Sequence, residues 1–329
     1  MFQSIDLRLN FYYSYTYDLT NTLQYNQAEI KQDYLNSNGS DNIKNIGVRN
    51  KPCKKFCWNE YLLRPIMKKI SYRWVVYLIH GYLSQSSLNI FGCSVFVTMI
   101  ARRSSRYAGT RFLKRGGTNE GYVANEVETE QIVHNACISS FNKGKFTSFV
   151  HVRGSIPLFW SQDPKQVPKP PINIDIVDPF ATVSAQHFKQ LLSRFGGPLV
   201  ILNLVKMREK KPQESILANE YKLCVDYLKQ FLPSDDFIEY ICFDMAKFNK
   251  TDKENIMNRL YDLAEHIVSR TSFYRNFDDS KQTQSNDDDS KKKKFVQNGV
   301  ARVNCVDCLD RTNTAMYVVG KCAFAHQVF

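Results

Sequence analysis

The chain lacks any run near the ~20 consecutive apolar residues that a membrane-spanning helix needs. Its best stretch, Leu88 to Ile100, is too short and carries Asn89, Ser94 and Thr98. That excludes a helical membrane span. The first residues lack the basic-then-apolar order of a secretory leader. No segment recurs at a fixed period, which excludes solenoids and propellers. Cysteine lacks a paired framework: nine residues, an odd number, are scattered without repeating spacing. Free thiols in a reducing compartment are expected, with the sequons at Asn38 and Asn249 silent. Metal-ligand spacing is missing too. Cys53 and Cys57 have no histidine beside them, and His80, His134, His151, His187, His266 and His326 show neither triad nor metal spacing, so each reads as structural. Acid is in short supply, with 32 Asp+Glu against 44 Lys+Arg, a net charge of +12. That balance calls for an anionic partner: nucleic acid, an anionic membrane or a phosphorylated substrate.

What is present suffices for a sizeable core. The 329 residues are 43% hydrophobic, and the length suggests two domains. The first 26 residues alternate aromatic and polar positions (Phe11, Tyr13, Tyr15, Tyr17), the period of a strand. Residues 35–50 are rich in Asn, Ser and Gly and read as a loop. A short helix is expected over 58–70, then strands at 74–79 (WVVYLI) and 90–100. The Pro-rich segment 164–179 should be extended and irregular. Helices are expected over 181–195, 214–231 and 255–269, and strands over 199–205 and 237–243. The alternation argues for an α/β layered fold. Residues 278–294, an acidic block followed by four lysines, read as a solvated insertion or, alternatively, as a hold on an anionic membrane. Residues 295–303 then suggest a hairpin with Asn298-Gly299 at its turn.

The chemistry is concentrated in RVNCVDCLDRTNT, residues 302–314. Five residues separate Cys305 from Arg311, with strand-like sequence before and helix-like sequence after. A tight loop between strand and helix turns backbone N–H groups inward, and the helix end adds positive potential, so the loop can cradle a phosphate. Val306, Cys308 and Leu309 would supply the loop amides. Arg311 can grip two phosphate oxygens through its planar fork. These groups should lower the Cys305 pKa from ~8.5 into the ~3.5–7.5 range and make the thiolate a nucleophile near neutral pH. Asp307 and its rival Asp310 are the local candidates to protonate a leaving oxygen. Alone, C-x5-R is only moderately specific. Cys305-x-x-Cys308 could instead be a redox pair or half a zinc site, although Asp307, Asp310 and Arg311 crowd it and no second ligand pair sits nearby.

The longer string NCVDCLDRTN at 304–313 resembles the signature of the Sac-domain phosphoinositide phosphatases. Further blocks agree: DLTNTLQYN (18–26), HGYLSQSSLNIFG (80–92), the 102–133 segment with its GTRFLKRGG core, VRGSIPLFWSQD (152–163), PKPPI (168–172) and RFGGPLVILNLVK (194–206). The resemblance covers nearly the whole chain. FLKRG (112–116), ANEVETEQ (124–131), WSQD followed by PKPPI, and DMAKF (244–248) make it most similar to the subgroup that removes the 5-phosphate of phosphatidylinositol 3,5-bisphosphate. The endoplasmic-reticulum 4-phosphatase subgroup usually differs at these places. The resemblance implies an α/β catalytic domain with a mixed sheet and flanking helices over 74–329, preceded by a partial β-rich N-terminal lobe over 1–73. It implies a chain truncated at both ends, cut after the C-x5-R loop and its helix. It also implies a cytoplasmic protein, peripheral on endosomal or vacuolar membranes. Its partners there would be the phosphatidylinositol 3-phosphate 5-kinase and a HEAT-repeat scaffold. The reaction needs no metal, though Mg²⁺ dependence occurs within such families.

Six basic residues in fourteen positions, Arg102, Arg103, Arg106, Arg111, Lys114 and Arg115, read either as a solvated loop or as a docking face for an anionic headgroup. Arg111 and Lys114 are expected nearest the substrate, with Asn125 as a polar contact. Glu126, Glu128 and Glu130 would share one strand face and are expected to orient Arg111, Arg115 or Arg153. The expected mechanism is attack of Cys305 on phosphorus, transition-state charge held by Arg311 and the loop amides, a proton from Asp307, and hydrolysis of the phosphocysteine. A Sac enzyme for monophosphorylated inositides and a catalytically weak scaffold for a lipid kinase complex are the alternatives. Nucleic-acid binding fits the charge alone, since no aromatic-basic platform or zinc-finger spacing supports it.

Overall fold

Parallel strands buried on both faces read as continuous apolar runs, and LVILN at 199–203 is such a run. In the computed structural model it forms the centre of the fold. The structure describes residues 7–28, 52–71, 74–110, 113–136, 144–163, 170–233, 238–245, 253–277 and 296–328. The elements in chain order are β1 (Phe11–Tyr12), β2 (Ile79–Ile90), β3 (Cys93–Arg103), β4 (Val127–Asn135), β5 (Lys145–Arg153), β6 (Trp160–Gln162), β7 (Ile172–Ile174), α1 (Thr182–Phe195), β8 (Leu199–Asn203), α2 (Glu214–Lys229), β9 (Ile238–Cys242), α3 (Lys253–Thr271), β10 (Tyr274–Arg275), β11 (Val300–Asn304) and α4 (Asp310–Val328). One mixed sheet runs β1-β2-β3-β4-β5-β11-β8-β9, with β10 also on β5 and β6-β7 as a separate ribbon. From β1 to β5 the neighbours are antiparallel; β5, β11, β8 and β9 are parallel.

Alternation along β8 divides the core. Val200 and Leu202 face one layer, where Leu260, Ala264 and Ile267 of α3 pack with Val318 and Val319 of α4. Leu199 and Ile201 face the other, with Phe188 and Leu191 of α1 and Leu217 and Tyr221 of α2. Helices therefore cover both faces of the parallel half, as its apolar strands demand. α1 starts where the Asp178 carboxylate accepts from the Thr182 hydroxyl (3.1 Å) and the Val183 amide (3.3 Å), and it stops at Gly196 with φ +73°.

Several expectations fail here for physical reasons. The aromatic alternation of 11–17 yields only the two-residue β1, because the segment turns away after Tyr12. WVVYLI is not a strand up to Leu78; Trp58 and Asn59 bond to Leu78 and Val76 there, and β2 begins at Ile79. The short helix over 58–70 contracts to one helical turn, Glu60–Leu63. No hairpin forms at Asn298-Gly299, since β11 pairs in parallel with β5 and β8. Gly299 has φ +88° and lies so close to the Pro198 backbone that a Cβ would sit 2.1 Å from its carbonyl oxygen. Residues 35–50 and the insertion at 278–294 lie outside the described residues.

The acidic face of β4 is structural, but with other partners than expected. Glu126 pairs with Lys55. Glu128 binds Arg102 (3.2 Å) and Arg194 (2.7 Å), and Glu130 binds Arg102 (2.6 Å). Arg115 instead donates to Gln162, and Arg153 to Asn313 and Cys308. Arg102 is completely buried, so the basic run 102–115 is not one docking face. Burial opposes the Glu128 charge, but Arg194 and Arg102 outweigh it and hold the carboxyl below its ordinary range. Its contribution is present above the unfolded carboxylate pKa and is lost as pH falls through the depressed value.

Removing one partner of a buried ion pair leaves the other uncompensated. Arg102→Ala should therefore destabilise the fold by about 3–5 kcal/mol in urea unfolding at neutral pH. A loss below ~1 kcal/mol would show that the network is not what ties β3 to β4.

Candidate active site

Strand β11 brings the signature to the carboxyl end of the parallel strands, between β5 and β8, where open α/β sheets bind ligands. All five of its residues are buried, including Arg302 and Asn304. Arg302 donates from Nε to His187 Nε2 (2.9 Å), from Nη1 to Asn304 Oδ1 (3.2 Å) and from Nη2 to the Ser155 carbonyl. Burial and then the Arg302 charge lower the His187 pKa far below its usual range, so the ring is neutral. Its Nδ1–H donates to the Gly121 carbonyl (2.9 Å), which leaves Nε2 as the acceptor. Asn304 donates to Asn203 (2.6 Å), which donates to the Tyr240 hydroxyl (2.7 Å). This buried platform sits directly beneath the loop. The sequence reading missed it, since its members come from β11, α1, β8, β9 and the loops at Gly121 and Ser155.

Cys305 follows the strand and is fully buried. Its sulfur receives the Cys308 amide (3.1 Å) and the Thr312 hydroxyl (3.0 Å). Hydrogen bonding from the Cys308 side chain is the strongest influence on the thiol and lowers its pKa; burial opposes it. Thr312 lowers it further, Asp307 raises it, and Arg311 lowers it again. The outcome is a pKa of about 7, inside the expected range. Cys308 behaves in the opposite way: bonding to Cys305 and burial push its thiol well above normal. The two thiols thus do different jobs, and Cys308 is a packed loop residue in the left-handed conformation (φ +57°). Thr312 is a second residue that sequence reasoning passed over. The signal was available, since it follows Arg311 in the first turn of α4.

Asp307 Oδ1 lies 3.2 Å from the Cys305 sulfur and accepts the Leu309 amide (3.2 Å). Asp310 opens α4, exposed, and its carbonyl accepts the Thr314 hydroxyl (2.8 Å). Asp307 is therefore the carboxylate at the sulfur. Arg311 does not reach over the loop as expected. It donates to the Leu204 carbonyl (3.0 Å) and holds Glu214 at the start of α2 (2.7 and 3.3 Å). From the other side Arg153 donates to the Cys308 carbonyl (3.1 Å) and to Asn313. Val306 packs against the α1–α2 side of the core. Lys114 and Asn125 lie together on a segment that Ser155 ties to the platform, its hydroxyl accepting the Gly116 amide (2.9 Å) and its amide donating to the Ala124 carbonyl (2.9 Å). Asn125 donates to the Lys114 carbonyl (3.4 Å), and Lys114 Nζ lies 4.6 Å from the Tyr107 ring centre. Arg111 lies outside the described residues.

A strand, a five-residue loop and a helix that together hold a low-pKa thiol are consistent with the family resemblance. Residues 1–250 match the family model of the SacI homology domain. The chain belongs to the SacI homology family. It is 41% identical over 340 residues to the polyphosphoinositide phosphatase of Schizosaccharomyces pombe, covering 99% of this chain and 37% of that protein. It is 33% identical over 382 residues to the phosphatidylinositol-3-phosphatase SAC1 of Arabidopsis thaliana, covering 100% of this chain and 40% of the relative. The Drosophila melanogaster protein of the same name is 33% identical over 320 residues, covering 97% and 48%. The chain thus spans well under two thirds of the length of these Sac relatives. The family match ends before the signature, which stands on its own residues at 304–313.

If the loop sets the thiol, the ultraviolet thiolate absorbance lost in Cys305→Ser should titrate with a midpoint near 7. Thr312→Ala should move that midpoint upward, because an O–H donor favours the charged sulfur. A Cys305 midpoint in the ordinary thiol range in the unaltered chain would contradict the loop geometry.

Proposed function

We propose that the chain is a cysteine-dependent phosphoinositide phosphatase, and that it removes the 5-phosphate of phosphatidylinositol 3,5-bisphosphate. The observation that carries the reading is the Cys305 sulfur, fully buried at the strand end, within hydrogen-bond reach of the Cys308 amide and the Thr312 hydroxyl, and held at a pKa of about 7 by the Cys308 side chain and Thr312. A thiolate there attacks phosphorus and forms a phosphocysteine as the inositol oxygen departs. Asp307, which accepts the hydrogen bond of the Cys305 thiol (3.2 Å), takes the thiol's proton as the thiolate forms and passes it to that oxygen, and water then cleaves the phosphocysteine. Arg311 takes part by exchanging Glu214 for phosphate oxygens, two bidentate acceptors of similar geometry. The bisphosphate assignment rests on the subgroup motifs in 112–131, 160–172 and 244–248. That subgroup also supplies the proposed setting, an endosomal or vacuolar membrane beside the opposing 5-kinase and its HEAT-repeat scaffold.

A second reading, activity on monophosphorylated inositides, is favoured by the printed names of two relatives, which are phosphatidylinositol-3-phosphatases. A membrane surface as partner is supported by the edge that precedes β2. Tyr61, Leu62, Ile66, Met67, Ile70 and Trp74 are exposed there, Trp74 by 83%, and Arg64, Lys68 and Lys69 lie among them. β2 begins at the end of the sheet where β5 and β11 finish, so this edge shares the loop's end of the sheet. Among the described residues no helix is long and apolar enough to cross a membrane.

The deciding assay is phosphate release from short-chain phosphatidylinositol 3,5-bisphosphate, with the 3- and 4-monophosphates alongside. Release from the bisphosphate alone, abolished in Cys305→Ser, is the expected result. Release from a monophosphate alone moves the assignment to the second reading, and an active Ser variant sinks the mechanism. Asp307→Asn should slow phosphocysteine formation about 10²–10⁴-fold, more for a poor leaving group than for a good one. Equal slowing for both would move the acid role elsewhere. Trp74→Ala with Lys68→Glu should weaken sedimentation with anionic vesicles; unchanged binding would place the membrane contact elsewhere.

A further inference from the structure

α4 carries two side chains that the phosphatase chemistry does not use. Cys322 and His326 are four residues apart, so they lie one above the other on the same helix face. That face meets α3, which places Glu265 between them. The Cys322 thiol donates to Glu265 Oε2 (3.0 Å), and His326 Nε2 lies 2.8 Å from Oε1. All three donor atoms fall within 4.8 Å of one another. The cluster is remote from the signature loop. Twelve residues of helix separate Asp310 from Cys322, about 18 Å at ~1.5 Å per residue.

We propose that Glu265, Cys322 and His326 form a binding site for a divalent transition-metal ion of the zinc class, bridging α3 and α4. The donor set decides the class of ion. One sulfur, one imidazole nitrogen and one carboxylate oxygen suit zinc or cobalt, whereas calcium and magnesium require oxygen donors throughout. Zinc bond lengths of ~2.0–2.3 Å put the edges of a tetrahedron at about 3.3–3.6 Å. Sulfur to Oε2 (3.0 Å) and Nε2 to Oε1 (2.8 Å) lie slightly below that, so these two pairs spread by a few tenths of an ångström, while the sulfur and the imidazole nitrogen, within 4.8 Å of each other, settle onto the third edge. Three protein ligands leave the fourth position to water, the arrangement of an open site. Charge also closes: thiolate and carboxylate neutralise the dication, and the imidazole stays neutral.

Loading requires two proton movements. The thiol releases its proton to solvent as the metal–sulfur bond forms, and the imidazole carries its proton on Nδ1 so that Nε2 presents a lone pair. Glu265 gives up both hydrogen bonds and turns one oxygen to the ion. Lys321, the adjacent cation, is drawn to the Tyr261 hydroxyl (3.2 Å), one turn before Glu265 on α3. The competing account is a plain hydrogen-bonded triad that holds the two helices together and binds no ion.

Cobalt(II) titration of the whole chain distinguishes the two. The expected result is one equivalent bound, with a sulfur-to-cobalt charge-transfer band and visible bands of tetrahedral intensity, and displacement by zinc. Cys322→Ser should abolish the charge-transfer band. His326→Gln and Glu265→Gln, each shown to fold by its thermal melt without metal, should weaken binding about tenfold or more. Zinc should raise the melting temperature of the unaltered chain and leave that of Cys322→Ser unmoved. Absence of the band, or a band that survives Cys322→Ser, overturns the proposal. A band lost in Cys305→Ser but kept in Cys322→Ser would place the metal in the signature loop and overturn it equally.

Discussion

The Arg302 guanidinium, buried in the middle of the parallel sheet, is the constraint on which the site depends. A charge in that position is tolerable only if its donors are satisfied, and the fold satisfies them from three directions: His187 of α1, the Ser155 carbonyl after β5, and Asn304 of its own strand. Those bonds fix where β11 stops relative to β5 and β8. They therefore fix where Cys305 begins. His187 must be neutral to accept, and burial together with Arg302 keeps it so. A hydrophobic residue at 302 could pack as well and stabilise as much, but it would leave Asn304 and the Asn203–Tyr240 chain without an anchor. The buried charge is better understood as specifying the position of one sulfur than as holding the protein together.

A second ionic network does hold two regions together. Arg102 and Arg194 approach Glu128 from β3 and α1, so the antiparallel half of the sheet is tied to a helix of the parallel half. Arg102 also takes the Asn21 carbonyl, and Glu130 accepts the Leu23 amide. The N-terminal segment is thereby fastened to β3 and β4. Its tyrosines alternate as a strand would, yet its place is set by these carbonyl and carboxylate bonds and not by a long ladder.

Legibility in the sequence followed the range of the interaction. α1, α2 and α3 could be placed within a few residues, because helical periodicity, and Gly196 after α1, are local signals. β8 was legible because an apolar run broken by a single Asn has few other uses. Strand partners were not legible. Val300 to Val303 has the same period whether its neighbour is nine residues away or a hundred, and Asn298-Gly299 suggested the nearer one. The glycine is in fact needed for close approach to Pro198. Glu126 and the acids of β4 were read as structural, but their ion-pair partners lie 26 to 71 residues away. Cys322 and His326 looked unremarkable because the third donor, Glu265, sits on another helix.

Arg311 shows how far local reading reaches and where it ends. Its position one residue into α4 follows from the five-residue spacing, and its charge lowers the Cys305 pKa as expected. Its direction does not follow from spacing. A guanidinium only 26% exposed needs a counter-charge, and Glu214 supplies it at 2.7 Å. Glu214 also accepts the Lys206 amide (3.0 Å) and opens α2, where the helix end favours a carboxylate. It therefore keeps compensation of its own if Arg311 turns away. A phosphate offers Arg311 the same planar two-point contact with more negative charge. The ion pair is thus compatible with a binding loop, and it sets the direction of the arginine toward α2.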